Sequence, residues 1–296
     1  MRRARVLPRE TRRILTRTGG FLSAWTHTLQ PYVGCQFSCV YCYVREMPVQ
    51  RANPYGLPWS AWISPKTNAP DLLARAAARG ELTGARVFLS SVTDPYVPLE
   101  RRLRLTRACL EVLAAHPPAA LLVQTRSPLV LRDAALLARI PRAAVSVTVP
   151  TADESVRRLL EPDSPGVRRR IETLGALRAA GVRTQAAVAP LLPGDPQALA
   201  DRLAPVADRV LVDDFFRGDG AGGRRSLAAR SLLARAGHPA FDAPGCADAA
   251  ERALRRRLGA SRVVGTAGWN ALDWLDAGEG GPGAAPRDQC EVRRVR

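Results

Sequence analysis

The sequence predicts an α/β fold built on a parallel sheet, and three observations carry that expectation. Short β-rich runs alternate with helical patterns between residues 28 and 213. The strand runs are mostly apolar, as strands covered on both faces should be. Right-handed crossovers then place the helices outside the sheet. The candidate strands are Thr28–Val33, Arg86–Ser91, Leu121–Thr125, Ala143–Val149, Arg183–Ala189 and Arg209–Asp213. Six such units suit either an open doubly wound sheet or an incomplete barrel. No G-x-G-x-x-G turn follows the first strand, so a dinucleotide-binding reading has no support.

The helices between these strands have nameable punctuation. Ser164 and Asp195 are placed as N-caps, with Pro165 and Pro196 in the first turn, and Gly80 and Gly181 stand where a left-handed C-terminal residue is wanted. Leu105, Ala108, Cys109, Val112 and Leu113 follow the i, i+3, i+4, i+7, i+8 spacing of one apolar helix face. Cys109 is therefore expected in the core as a small hydrophobe. Leu199, Leu203 and Val206 repeat the logic on a later helix. From Arg217 the pattern weakens: GDGAGGRRS is loop-like, Ser226–Ala236 and Ala247–Leu258 are helical, and the end is Gly-rich and then basic. The organisation expected is an Arg-rich arm over residues 1–24, a barrel over 25–216 and a helical and loop extension over 217–296.

A chain of 296 residues that is 46% hydrophobic can build a sizeable core, which excludes a disordered tail or a small disulfide scaffold. No run approaches the ~18 apolar residues of a membrane span, and the basic N-terminus lacks the apolar stretch of a signal peptide. The expectation is a cytoplasmic protein with no membrane partner. Thiols stay reduced there, so the six cysteines are weighed as ligands or as packed residues before disulfides. The 44 Lys+Arg against 27 Asp+Glu give a formal charge of +17. Lys66 is the only lysine, and a codon bias accounts for Arg over Lys but not for the sign of the imbalance. That surplus favours polyanions, DNA or RNA first. Seven arginines among residues 1–17 form the densest patch, whose alternative reading is a frayed, solvated arm.

The strongest signal is Gly34-Cys35-Gln36-Phe37-Ser38-Cys39-Val40-Tyr41-Cys42-Tyr43, three thiols at C-x3-C-x2-C directly after the first strand. Thiolates are soft ligands that select iron–sulfur clusters, zinc or Cu(I), and a short loop brings three of them to one site. A structural zinc would want a fourth ligand, from His27, Cys246 or Cys290. That alternative describes a zinc-stabilised basic nucleic-acid-binding module without catalysis. Three cysteines with no obvious fourth partner instead suit an iron left open to substrate.

In that context the loop resembles the radical S-adenosylmethionine (SAM) superfamily, with Tyr41 as the aromatic residue before the last cysteine. VGCQFSCVYCYV, FLSSVTDPYVPLE, QTRSPLVLRD, VSVTVPT, LEPDSP and AAGVRTQAAVAPLLPG follow in order the pattern of the subgroup resembling spore photoproduct lyase, over roughly residues 25–215. The resemblance implies a partial (β/α)6 TIM-like barrel and a [4Fe-4S] cluster held by Cys35, Cys39 and Cys42. It further implies that one electron cleaves SAM to methionine and a 5′-deoxyadenosyl radical, which abstracts hydrogen from substrate. An electron donor such as flavodoxin or ferredoxin is implied as a partner. By similarity Thr93 and Asp94 would meet the ammonium and ribose region of SAM, Arg126 its carboxylate and Ser146 its ribose hydroxyls. Tyr41, Tyr43, Ser91 and Glu161 complete the implied cofactor-binding set, with Glu161 either touching ligand or pinning a loop. Asp94-Pro95 and Ser127-Pro128 also read as an ordinary turn and an ordinary helix cap.

The chain departs from the lyase pattern at one place. Lyases use a cysteine near the S-D segment to return hydrogen to a product radical, whereas Ser90 and Ser91 precede Val92-Thr93-Asp94 here. A serine O–H bond is too strong for that task, so thymine-dimer repair is not carried over. The leading substrate is a nucleic acid or nucleotide, and the alternative within enzymes is a peptide or small metabolite.

Overall fold

The computed structural model describes residues 4–49, 53, 56–218 and 220–276. The strands among these residues are, in chain order, β1 (Arg5–Val6), β2 (Leu15–Arg17), β3 (His27–Leu29), β4 (Tyr32–Gly34), β5 (Trp62–Pro65), β6 (Arg86–Leu89), β7 (Ala120–Thr125), β8 (Ala143–Thr148), β9 (Arg183–Val188), β10 (Arg209–Val212) and β11 (Val263–Val264). The main sheet has the order β11-β10-β9-β8-β7-β6-β3-β2. All of its pairings are parallel except β2 with β3. Six parallel strands from β3 to β10 make the partial barrel that the alternation allowed and the resemblance selected.

The helices are α1 (Ala69–Ala78), α2 (Glu100–Leu103), α3 (Leu105–Ala115), α4 (Ala134–Leu137), α5 (Glu154–Leu160), α6 (Val167–Ala179), α7 (Pro196–Leu203), α8 (Leu227–Arg235) and α9 (Asp248–Leu258). Leu73, Cys109, Leu110, Leu113, Leu174, Leu177, Leu199 and Leu203 are buried against Leu121, Val123, Val145 and Val188 of the strands. Cys109 lies in that stripe, fully buried, as its spacing predicts. Asp195 caps α7 by accepting from Gln197 N at 2.8 Å. Gly80 and Gly181 have φ of 76° and 78°.

Three expectations are corrected. The run Thr28–Val33 is two strands, because Pro31 has no N–H and interrupts the ladder. β3 stays in the main sheet, while β4 pairs antiparallel with β5 in a separate sheet of order β1-β5-β4. Ser164 does not cap α6: Gly166 is the N-terminal boundary residue, and the Glu154 carboxylate accepts from Val167 N at 3.0 Å. The Arg-rich segment is no frayed arm over its paired residues, since β1 pairs with β5 and β2 covers the edge of β3.

The barrel interior is graded along the strands. Alternate residues share a face, so Leu122 and Gln124 of β7 point one way and Leu121 and Val123 the other. At the lower end Phe88, Ala120, Leu122, Ala144, Ala187 and Leu211 pack with Trp25, Trp269 and Leu275. Above them Gln185 Nε2 donates to Ser146 Oγ at 2.9 Å, and Gln124 Nε2 donates to Thr148 Oγ1 at 2.8 Å. Apolar packing thus gives way to polar groups towards the C-terminal ends of the strands, where barrel sites form.

Gly34 is the hinge into the cysteine loop. Its φ is 81°, and a Cβ there would stand 2.7 Å from the backbone oxygen of Trp62. Gly34→Ala is expected to cost about 2–3 kcal/mol, from left-handed strain plus a backbone clash. A lowered urea midpoint and lowered iron content in the same preparation would check it.

Candidate active site

The three cysteines line one cavity of about 370 Å3 at the C-terminal ends of the strands. Their loop is tied to the segment Leu160–Ser164 after α5. Val40 N donates to Leu160 O at 2.9 Å, Ser38 Oγ donates to Asp163 at 2.6 Å, and Cys39 Sγ lies 3.9 Å from Ser164 Oγ. Arg45 Nε donates to Cys39 O at 3.1 Å. The LEPDSP segment is therefore the anchor of the cysteine loop.

At its centre is a buried ionic clamp. Glu161 is fully buried and binds Arg126 through Oε1 and Arg170 through Oε2, the latter at 2.6 Å. Tyr41 OH donates to Glu161 Oε1, and Arg126 Nη1 also donates to Tyr41 OH at 3.1 Å. Burial alone would raise the Glu161 carboxyl, but Arg170 and Arg126 outweigh it and hold it below the ordinary carboxylate range. Arg170 continues to Thr148 O at 3.2 Å and Pro165 O at 2.8 Å, which joins α6 to β8. The clamp thus locks the cysteine loop, β7, β8 and α6 together.

The expected site residues divide into two groups. Tyr41, Tyr43, Ser91, Thr93, Asp94 and Arg126 line the cavity with the cysteines; Ser146 and Glu161 do not. Tyr43 OH donates to Ser91 O at 2.7 Å, and Thr93 Oγ1 donates to Gly34 O, so both brace the loop. Asp94 accepts from Tyr96 N at 2.8 Å, Thr125 Oγ1 at 2.7 Å and Arg126 N at 2.8 Å. Most of its bonding capacity therefore joins β6 to β7, and burial raises its carboxyl despite those bonds. The Arg126 guanidinium bonds through Nη1 alone among the described residues. Ser146 is one pleat below Thr148 on the same face, wholly buried and bonded to Gln185, while Thr148 reaches the cavity.

The residues present fit an iron–sulfur cluster. Burial pushes the thiols of Cys35 and Cys42 above the ordinary range and that of Cys39 up to about 11, with Arg126 opposing the shift at Cys39. Thiolates so placed need a cationic centre to hold them deprotonated. Among the described residues no three His, Cys, Asp or Glu side chains close on one point as a single ion requires. A cluster gives each cysteine its own iron and accepts a wider trio. The zinc alternative lacks its fourth ligand among the described residues: His27 bonds Thr26 Oγ1 on β3, Cys246 lines a separate cavity of about 160 Å3, and Cys290 lies outside them. For a second ligand, two buried polar atoms at the main cavity have no partner among the described residues, Ser90 Oγ and Gln124 Oε1.

Residues 29–201 match the family model described as the radical SAM superfamily. The chain belongs to the radical SAM superfamily. Its enzymes use a [4Fe-4S] cluster and SAM. An uncharacterised protein of Methanocaldococcus jannaschii is 33% identical over 167 residues, 56% of this chain and 61% of that protein. A Pseudomonas phage M6 protein named as a radical SAM Nalpha-GlyT isomerase is 26% identical over 193 residues, 63% of this chain and 38% of the phage protein. This radical SAM chain therefore matches less than two thirds of either relative's length. Solved structures of spore photoproduct lyase share the fold, with a TM-score of 0.59 at 14% identity over 88% of this chain and 81% of theirs. No helix among the described residues is long and apolar enough to cross a membrane.

Sequence reasoning missed Asp213 and Gln124, which line the cavity, and Arg170, which carries half of the clamp. Asp213 directly follows β10, so the strand-end rule that located Asp94 and Arg126 would have found it. Replacing Glu161 by Gln strands two buried guanidinium groups, and a loss of about 3–5 kcal/mol is expected. Urea unfolding of the reconstituted protein checks this, and its iron content should fall with stability.

Proposed function

We propose that this enzyme uses SAM-derived radical chemistry on a base of a nucleic acid or nucleotide. The carrying observation is the pairing of a +17 chain with a cysteine-bearing cavity walled by Phe37, Trp59, Phe88, Phe215 and Trp269. Cationic surface attracts phosphate, and aromatic walls offer stacking faces to a base. Two similarities support the same class. The phage relative is named a radical SAM Nalpha-GlyT isomerase, and one spore photoproduct lyase structure carries AdoMet and a dinucleoside spore photoproduct.

Cys35, Cys39 and Cys42 would hold the cluster, and the loop bonds to Leu160–Ser164 would keep the three thiols at the cavity. When bound and reduced, the cluster supplies the electron that splits SAM into methionine and a 5′-deoxyadenosyl radical able to take hydrogen from substrate. Arg126, with Nη1 occupied by Glu161 and Tyr41, would turn its remaining N–H groups to the SAM carboxylate. Thr93 and Asp94 would stand near the ammonium and ribose, Tyr43 and Ser91 beside them, and Thr148 in place of Ser146 near the ribose hydroxyls. Ser90 and Ser91 offer no thiol hydrogen, so a rearrangement or modification of the base suits the site better than dimer repair. A flavodoxin or ferredoxin would deliver the electron.

Anaerobically purified protein should be brown, and Cys39→Ala should lose most of its iron. With dithionite, the wild type should form 5′-deoxyadenosine and methionine from SAM. Binding to a generic oligonucleotide should weaken about a hundredfold between 50 and 200 mM salt if about four phosphates are met. Salt-insensitive or absent binding would move the substrate to a peptide or small metabolite.

A further inference from the structure

Two carboxylates at the cavity, Asp213 and Asp214, have no part in holding the cluster or SAM, and Arg217 engages Asp214. Asp213 follows β10 with the same parity as Leu211, so its side chain enters the barrel interior, where it is 1% exposed. Its two oxygens are treated differently. Oδ1 accepts from Thr266 Oγ1 at 2.7 Å and from Asp214 N at 2.9 Å. Oδ2 has no hydrogen-bond partner among the described residues. The chain passes it at Gly218, where a Cβ would stand 2.5 Å from Oδ2 and 2.8 Å from Cγ. Only a glycine lets the backbone pass this close to the carboxylate. Gly218, Asp213, Gln124 and Trp269 line the same cavity as the cysteines.

A buried carboxylate fixed at one oxygen and unpaired among the described residues at the other is an acceptor available to a donor that enters the cavity. Neither neighbouring arginine supplies it: Arg217 Nε bonds Asp214 at 2.9 Å, and Arg126 is engaged by Glu161. Gln124 Oε1, also unpaired, is a second acceptor on the cavity wall. Acceptors set among aromatic rings match a flat ring that carries N–H groups. Building on the nucleic-acid reading, we propose that Asp213 selects the substrate base by accepting a hydrogen bond at Oδ2 from its ring or exocyclic N–H. Thr266 is the positioning residue that holds the carboxylate in place.

The contact has a pH signature. Burial, with the negative charge of Asp214 adding to it, raises the Asp213 carboxyl to about 6 against the bonds from Thr266 and Asp214 N and the charge of Arg217. The segment that carries Thr266 brings no charged group to it, and Arg225, Arg126 and Asp94 line the rest of the cavity. The acceptor is the ionised form, so base recognition is complete above about pH 6 and is lost as pH falls through it. Phosphate contacts by arginine do not change over that range.

The test uses the SAM-loaded, cluster-containing protein and two decamers, a mixed-sequence strand with all four bases and an abasic strand with the same phosphates. The wild type should bind the first at least tenfold more tightly at pH 7.5, and that preference should fade towards pH 5. Asp213→Asn keeps the Oδ1 acceptor but puts an amide N–H against the base. It should cut the preference to threefold or less, leave it flat with pH, and leave SAM affinity and melting temperature undiminished. Thr266→Val should lower the preference and move its pH midpoint, and Thr266→Ser should restore both. An unchanged preference in Asp213→Asn, or a loss of SAM affinity with it, overturns the proposal while the nucleic-acid reading stands. Equal binding of both decamers by the wild type does the same. Failure of both decamers to bind at low salt removes the substrate reading and this inference together.

Discussion

The buried carboxylate of Glu161 is the constraint on which the site depends. From the segment after α5 it holds two arginines and a tyrosine from three other parts of the chain: the loop bearing Tyr41, the end of β7 and helix α6. An ion pair of this kind contributes little net stability, because desolvation offsets most of the attraction. What it does supply is geometry, since each member can satisfy its bonds in only one arrangement. The cysteine loop, otherwise a short irregular stretch, is held against β7 and β8 by that requirement.

The clamp also has a charge, which matters for what sits beside it. Two guanidinium groups on one carboxylate leave a positive excess next to Cys39, and Arg126 draws the Cys39 thiol down against the effect of burial. An iron–sulfur cluster carried by three thiolates would be anionic overall, and the excess would serve as its counter-charge. The burial that raises the thiols would also strengthen this attraction.

How far the molecule was legible follows from these details. The six parallel strands could be read because each combines apolar β-rich residues with helix punctuation on either side. The break at Pro31 was visible in principle, but the small sheet it creates depends on β5, a four-residue strand with little pattern. β1 and β2 are shorter still and hold through backbone pairing, which composition does not report. The strand-end rule put the cysteines, Asp94 and Arg126 in one place, and all of them line the cavity. Ser146 lies below it, because period-two alternation fixes a residue's face and not its depth. Arg170 reads as one of three consecutive arginines on a solvated helix, yet it is fully buried, and only the tertiary position of Glu161 explains that.

Asp213 shows the opposite relation between stability and function. A carboxyl raised by burial is one whose ionised form the fold disfavours, so its charge lowers stability above the ordinary carboxylate range and that cost is relieved as pH falls below about 6. Glu161 has the reverse sign, because Arg170 and Arg126 make its charge favourable. Both groups are buried at the ends of barrel strands or the loops beside them, and both are fixed by neighbours. They differ in whether the chain itself completes the bonding. Glu161 is fully engaged and organises the loop; Asp213 keeps one oxygen open to the cavity. That contrast separates the residue that builds the site from the one left to meet what enters it.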